Sequence, residues 1–405
     1  MKLNQWTIAL AAAGIVSVPS LLRADEEQKP SSVMTALSAT TISGYVDTSA
    51  QWNMGTGNLG VPTYSFGGSQ KADGFNLNAV KLSIQKDAEA SEAWGAGYKA
   101  DLMFGPDANT LGSQTGGAQT AFPGRDIAVR QAYVDLHAPI GNGLEMKIGV
   151  FDTILGYEVT DAPSDPNFTR SYGYTIEPVE NTGILFTYNL SESVALNGGI
   201  ANTFGPNINA RAFNTGAGAP LSGPKAESFK TYLGSVNLTA PKNWGFLAGS
   251  TLTGGITSGY NAFSGTAGLG TGAVQTSWYV GGTINTPLSS LKIGAAYDYA
   301  GVNQQVLSGS TFANATTIYV LWQATEKMSL NWRGEYASSN TGVFAASKVF
   351  ASTVTVQYDL WKNVLSRVEF RWDHAADASG PYGGTTVAGG KDNSYILIAN
   401  IAYKF

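Results

Sequence analysis

Sixteen stretches of alternating apolar and polar residues fill the chain from residue 40 to its last residue, and the spacers between them alternate in length. The stretches are 40–53, 74–87, 93–105, 126–138, 143–153, 180–189, 193–203, 227–240, 244–259, 273–286, 289–302, 312–325, 328–338, 346–360, 364–375 and 392–405. Each is about as long as a tilted strand that crosses a bilayer. The spacers run long (54–73), short (88–92), long (106–125) and short (139–142), then 154–179, 190–192, 204–226, 241–243, 260–272 and 287–288. The medium spacers 303–311 and 339–345 weaken the alternation, and 376–391 is long again. A barrel inserted from one side of a membrane keeps short turns on the near side and long loops on the far side. A soluble sandwich has no reason to sort its connections by parity. The pattern therefore predicts an all-β fold, a transmembrane antiparallel β-barrel of about 16 strands over 40–405, with short periplasmic turns and long extracellular loops.

Composition points the same way. Charged residues make up 13% of the chain, about half the usual share, while 49 of the 405 residues are Gly and aromatics reach 11%. Mean hydropathy is −0.05, and beyond the N-terminal leader no apolar run approaches the ~18–20 residues of a membrane helix. Low charge without greasy runs suits a barrel, whose apolar residues alternate with lumen residues and never accumulate. A secreted Gly/Ser/Thr-rich β-sandwich or adhesin is the alternative. The chain has no Cys, so neither disulfides nor thiol redox chemistry arise.

The first 24 residues read as a cleaved signal peptide, with Lys2 as the positive start, an apolar core over 6–18, and Leu22-Arg23-Ala24 before the cut ahead of Asp25. Residues 25–39 read as a periplasmic lead-in. Setting aside Lys2 and Arg23 leaves 22 basic and 29 acidic residues, a net −7, which gives no basic footprint for nucleic acid.

The two faces of the stretches differ. Leu144, Met146, Ile148 and Val150 oppose Glu145 and Lys147; Met328, Leu330, Trp332 and Tyr336 oppose Asn331, Arg333 and Glu335; Val364, Val368, Phe370 and Trp372 oppose Arg367, Glu369, Arg371 and Asp373. An Arg or Lys facing lipid at midplane costs about 2–4 kcal/mol, so the charged faces are assigned to the lumen. A barrel this wide cannot be filled by wall side chains alone. The rings of Trp94, Trp244, Trp322, Trp361, Tyr403 and Phe405 fall toward the periplasmic rim, and those of Trp52, Trp372 and Tyr395 toward the outer rim, where amphipathic rings prefer to sit. The last stretch, DNSYILIANIAYKF, stops on Phe405 and must pair with 40–53 if the barrel closes.

The inferred pore-lining acids are Asp47, Asp101, Glu145, Asp298, Glu335, Asp359, Glu369 and Asp373; the bases are Lys81, Lys99, Lys147, Lys292, Arg333, Arg367 and Arg371. The signs nearly cancel, which implies weak ion selectivity. Cross-strand pairing that holds register is the competing explanation. The longest spacer, 154–179, contains three prolines and carries Glu158, Asp161, Asp165, Arg170 and Glu177. Asp161 and Asp165 lack the glycine spacing and closing Glu of a Ca²⁺ loop, and no metal is expected. The glycine-rich 268–272 lacks the Lys-Ser/Thr end of a phosphate loop. His137 and His374 fall near opposite rims without a nucleophile or ligand cluster, and neither H-E-x-x-H nor G-x-S-x-G occurs. The chain reads as a non-enzyme with no cofactor.

The stretch VRQAYVDLHAPIGNGLEMKIGVFDTILGYEV (129–159), followed by DAPSDPNFTRSYGY (161–174), resembles the Putative beta-barrel porin-2 family, also called OmpL-like; SGYVDTS (43–49), FNLN (75–78) and ADLMFG (100–105) look similar too. The resemblance is clear over about 43–190 and diffuse afterwards, apart from the terminal strand. It implies an outer-membrane channel of a Gram-negative-type envelope and brings no substrate with it. By analogy with general porins, the third long loop, 154–179, folds inward and narrows the channel. The expected function is passive diffusion of small hydrophilic solutes and ions through a water-filled lumen, by size exclusion and mild electrostatic filtering. The expected partners are outer-membrane lipid, the barrel-assembly machinery through the strand ending in Phe405, small solutes and, by analogy, two further copies in a homotrimer. A substrate-specific channel for oligosaccharides or anions, or a surface or adhesion barrel with a blocked lumen, are the alternatives.

Overall fold

Period-two alternation with one apolar face leaves a strand two ways to bury its backbone polar groups, and in a bilayer only a closed ladder satisfies them all. A computed structural model of the chain shows that ladder. It describes residues 39–55, 57, 59–67, 71, 73–88, 94–111, 113, 126–210, 230–260, 274–303, 310–384 and 389–405. The expected signal peptide 1–24, all but the last residue of the 25–39 lead-in, and the glycine-rich 268–272 lie outside the described residues.

The strands are β1 (Thr41–Asn53), β2 (Gly74–Lys86), β3 (Gly95–Phe104), β4 (Ile127–Ala138), β5 (Leu144–Asp152), β6 (Glu180–Ser191), β7 (Val194–Ala201), β8 (Thr231–Thr239), β9 (Thr251–Tyr260), β10 (Val274–Asn285), β11 (Leu291–Asn303), β12 (Ser310–Gln323), β13 (Met328–Ser339), β14 (Lys348–Trp361), β15 (Val364–Ala375) and β16 (Asn393–Lys404). Two short helices, α1 (Pro106–Leu111) and α2 (Tyr172–Ile176), lie in connections. Each strand pairs antiparallel with its sequence neighbours, and β1 pairs with β16 to close a sixteen-stranded barrel.

The closing seam runs from Tyr45 opposite Lys404 to Asn53 opposite Ile396. The terminal residue completes it, since Gly44 N donates to Phe405 O at 2.9 Å and Phe405 N to Gly44 O at 3.0 Å. Gly44 is the only residue type that fits there. A Cβ would stand 2.6 Å from Phe405 Cζ and 2.1 Å from the Lys81 carbonyl oxygen.

One predicted stretch needs correction. Residues 244–250, taken as the start of the ninth strand, form a turn instead, and β9 begins at Thr251. Trp244 N donates to Pro241 O at 3.0 Å, and Gly245 and Gly249 have φ of 60° and 78°, so the chain coils before it extends. The exposed Trp244 and Phe246 rings thereby stay at the short-turn rim.

The outer face is apolar and bare: Val280, Ile293, Val354 and Phe370 are exposed, as a surface solvated by lipid must be. The inner face is graded. On β11–β14 it presents small residues, and Ala300, Ala313, Ala315, Ala337 and Ala351 form a floor on which Tyr172 and Ile176 of α2 pack, with Phe344 beside them.

Candidate pore and constriction loop

A loop that enters a lumen brings backbone N–H and C=O groups with no ladder to join, and the wall must supply partners for them. The connection 153–179 between β5 and β6 does enter, and β13 and β15 supply the partners. Arg367 donates through Nη1 to the carbonyls of Asp165 and Asn167, both at 3.2 Å, and through Nη2 to that of Ala162 at 3.0 Å. Arg371 Nη1 donates to the Arg170 carbonyl at 2.8 Å. Between them on β15, Glu369 accepts from Phe168 N at 2.5 Å and Thr169 N at 2.9 Å. On β13, Glu335 accepts from Tyr172 N at 2.7 Å. Arginines thus meet loop carbonyls and carboxylates meet loop amides, in an order that follows the alternation of charge along the inner face.

Arg333 is the hub. Its Nε donates to Glu335 at 2.7 Å, its Nη1 to Glu158 at 2.9 Å and to the Thr169 carbonyl, and its Nη2 to Thr169 Oγ1 at 3.0 Å. Glu158 accepts in turn from Ser171 N at 2.7 Å and from the Tyr319 hydroxyl at 3.1 Å. Ser171 caps α2, accepting from Tyr174 N at 3.1 Å. The Arg371 guanidinium lies 4.5 Å from the Tyr64 ring and 5.0 Å from the Tyr172 ring. Arg170 lies 5.5 Å from both Phe66 and Tyr174 and pairs with Asp165 at 3.2 Å. Asp161 pairs with Lys81 at 2.6 Å.

These contacts relocate most of the residues expected to line the pore. Lys81, Asp101, Asp298, Arg333, Glu335, Arg367, Glu369, Arg371 and Asp373 all face inward but are buried, most of them beneath the loop. Arg371 and Asp373 bond each other at 2.8 Å, and Lys81 bridges Asp101 at 3.1 Å. Asp47 is buried against Asn78 and Asn400. Lys99, Glu145 and Lys147 stay half-buried, with His137 Nδ1 2.5 Å from Glu145 and Lys147 above the Tyr133 ring at 5.0 Å. Lys292 and Asp359 are exposed near the short-turn end.

Glu177 has an acid for a neighbour. Burial, and then the adjoining Asp298 carboxyl, push it well above the ordinary range. Two glycines make room for the pair: a Cβ on Gly156 would stand 2.2 Å from Glu177 Oε2, and one on Gly173 2.2 Å from Asp298 Oδ2.

The loop's backbone hydrogen bonds gather on one side of the barrel, while Leu155 packs among Tyr279, Ala296 and Tyr319 and Tyr157 bonds Thr283 at 2.8 Å on β10. Away from those bonds a space of about 250 Å³ opens between 153–156, 158–160, Pro178 and Val179 on the loop and Asn197, Asn237 and Thr253 on β7–β9. Arg130 and Asp152, paired at 2.8 Å, close one edge of it. Sequence reasoning singled out none of Arg130, Asp152, Asn197, Asn237 or Thr253. The signal for the last three was present, since β7, β8, β9 and β10 contain no Asp, Glu, Lys or Arg.

The family described as Putative beta-barrel porin-2, OmpL-like matches residues 39–405. No curated protein matches the chain. Among solved structures, an anion-selective porin from Comamonas acidovorans is 12% identical with a TM-score of 0.57, over 90% of this chain and 99% of its own. OprB of Pseudomonas putida is 12% identical with a TM-score of 0.59, over 92% and 96%. The outer membrane channel DcaP of Acinetobacter baumannii is 13% identical with a TM-score of 0.53, over 90% and 97%. At such identities the likeness is one of fold.

Proposed function

This chain belongs to the Putative beta-barrel porin-2, OmpL-like family, and from that premise, which makes it an outer-membrane channel for solute diffusion, we propose where its passage runs and what narrows it. Small hydrophilic solutes and ions cross between the lumen-facing side of loop 153–179 and the β7–β9 wall, past the Arg130–Asp152 pair. The observation that supports this path is where the loop's hydrogen bonds go: its polar backbone is spent on β13 and β15, and the space of about 250 Å³ lies against β7–β9. In this reading Arg333, Glu335, Arg367, Glu369, Arg371 and Asp373 set the bore by holding the loop, together with Glu158, Asp161, Asp165, Arg170 and Glu177. Lys99, Glu145 and Lys147 supply a mild electrostatic filter nearer the periplasm.

Single-channel recording of refolded protein in planar bilayers tests the proposal. A steady conductance that rises when residues 157–175 are deleted is expected. Protein that inserts and conducts nothing would sink this path and favour a surface barrel with a blocked lumen. The same reading has the strand ending in Phe405 presented to the assembly machinery after a leader over 1–24 is cleaved, and three copies associating. Sizing in detergent by light scattering checks the last point, and a monomer there counts against it.

A further inference from the structure

Resting on the channel reading, we infer that the narrow part of this pore is built to pass uncharged, polyhydroxylated solutes, such as hexoses and other polyols, in preference to ions of the same size. The side of the lumen left open by the loop is a continuous neutral wall. Strands β7 to β10 contain no Asp, Glu, Lys, Arg or His. Their inward polar side chains are amides and hydroxyls, several of them bonded to one another, beside buried Leu233 and Tyr279. Thr187 Oγ1 donates to Asn197 Oδ1 at 2.7 Å, and Asn197 Nδ2 donates to Ser235 Oγ at 3.0 Å. Thr253 Oγ1 donates to Asn237 Oδ1 at 2.9 Å, which leaves the Asn237 amide nitrogen without a partner among the described residues.

The charges elsewhere in the lumen do not offset this neutrality. Arg333 is neutralised by Glu158 and Glu335, Arg371 by Asp373 and Arg170 by Asp165. All of these are buried, and of them only Glu158 borders the space. Among the described residues, the acids and bases that border the opening are Arg130 and Asp152, bonded to each other, and Glu158, bonded to Arg333. The facing lip of the loop is apolar, with Ile154, Leu155, Val159 and Val179.

An ion entering such a gap gives up part of its hydration shell and meets only charges already paired with one another. A polyol loses water from hydroxyls that can bond again to Asn and Thr side chains, while its C–H face meets the apolar lip. Fixed neutral donors and acceptors exchange for water at little cost, so the polyol is not held and moves on.

Swelling of liposomes that carry the refolded full chain tests the inference, with glucose, gluconate and glucosamine compared at one osmolarity. Glucose is expected to enter fastest. Asn237→Lys is expected to raise gluconate entry relative to glucose by about fourfold, the effect of one unit charge some 5 Å away in water, and to lower glucosamine entry by a similar factor. Thr253→Lys serves the same purpose should Asn237→Lys fail to shift on heating in gels. Equal rates for the three solutes, or a lysine at either position that leaves their order untouched, would overturn the inference while leaving the channel intact. No entry of any solute, together with no conductance, would overturn the channel reading as well.

Discussion

Replacing Arg333 with Met should unseat the loop without opening the barrel. The guanidinium is wholly buried and joins two acids, Glu158 from the loop and Glu335 from its own strand, while also donating to the Thr169 carbonyl and hydroxyl. Met fills similar volume but leaves both carboxylates buried without a counter-charge. Breaking a buried pair in this way costs about 3–5 kcal/mol. At 1.4 kcal/mol per factor of ten, that lowers the seated population of the loop relative to the released one by roughly two to three and a half orders of magnitude. The other anchors limit the damage, because Glu369, Arg367 and Arg371 keep their own bonds to the loop backbone. The sixteen-strand ladder contains no Arg333 side-chain bond, so heat-modifiable migration in gels should persist. Limited proteolysis within 153–179 and amide exchange of residues 168–172 should both accelerate, and single-channel conductance should rise and become noisier. Arg333→Lys, which keeps the charge and loses the planar fork, should fall between wild type and Met. An Arg333→Met protein whose loop amides exchange as slowly as wild type, and whose conductance is unchanged, would refute the account of the seat.

Three further outcomes follow from the same geometry. Glu177 is raised well above its ordinary value of 4.5 in the folded protein, so the stability it lends is fully present below that value and is lost as pH rises through the folded pKa; protection of the loop from proteases should fall with rising pH in wild type and less steeply in Glu177→Gln, and a parallel slope in both would count against a raised Glu177. Gly44→Val forces a Cβ to within 2.6 Å of the Phe405 ring and should destabilise the seam by about 1–3 kcal/mol, seen as a lower yield of the heat-modifiable band on refolding; an unchanged yield would contradict the role given to the terminal ring. Val280→Lys, at the middle of β10 and 47% exposed on the outer face, should cost about 2–4 kcal/mol in lipid, measured as a shift of the urea midpoint for refolding into vesicles.

Much of the architecture is local and was therefore legible. Which face of a strand takes lipid follows from the alternation of residues such as Val364, Val368 and Phe370 against Arg367, Glu369 and Arg371. The closing pair followed from counting, since a chain with sixteen antiparallel staves has to bring 392–405 beside 40–53. The misplaced start of β9 came from the apolar Trp244, Phe246 and Leu247, which mimic a strand in composition while Gly245 and Gly249 turn the backbone.

The use of the lumen was legible only in part. The sequence by itself determined that Arg333, Arg367, Glu369 and Arg371 point inward, because an ionised group on the lipid face is too costly. It also determined that β7–β10 carry no charge. Whether the inward charges meet water or protein was decided by tertiary structure alone. Their partners are carbonyls and amides of residues 162–172, some 160 to 200 positions away in the chain, and no periodicity along a strand encodes a contact at that separation. A long loop with unsatisfied backbone groups, an alanine floor for its helix, and a charged ladder of matching alternation bring the charges under cover.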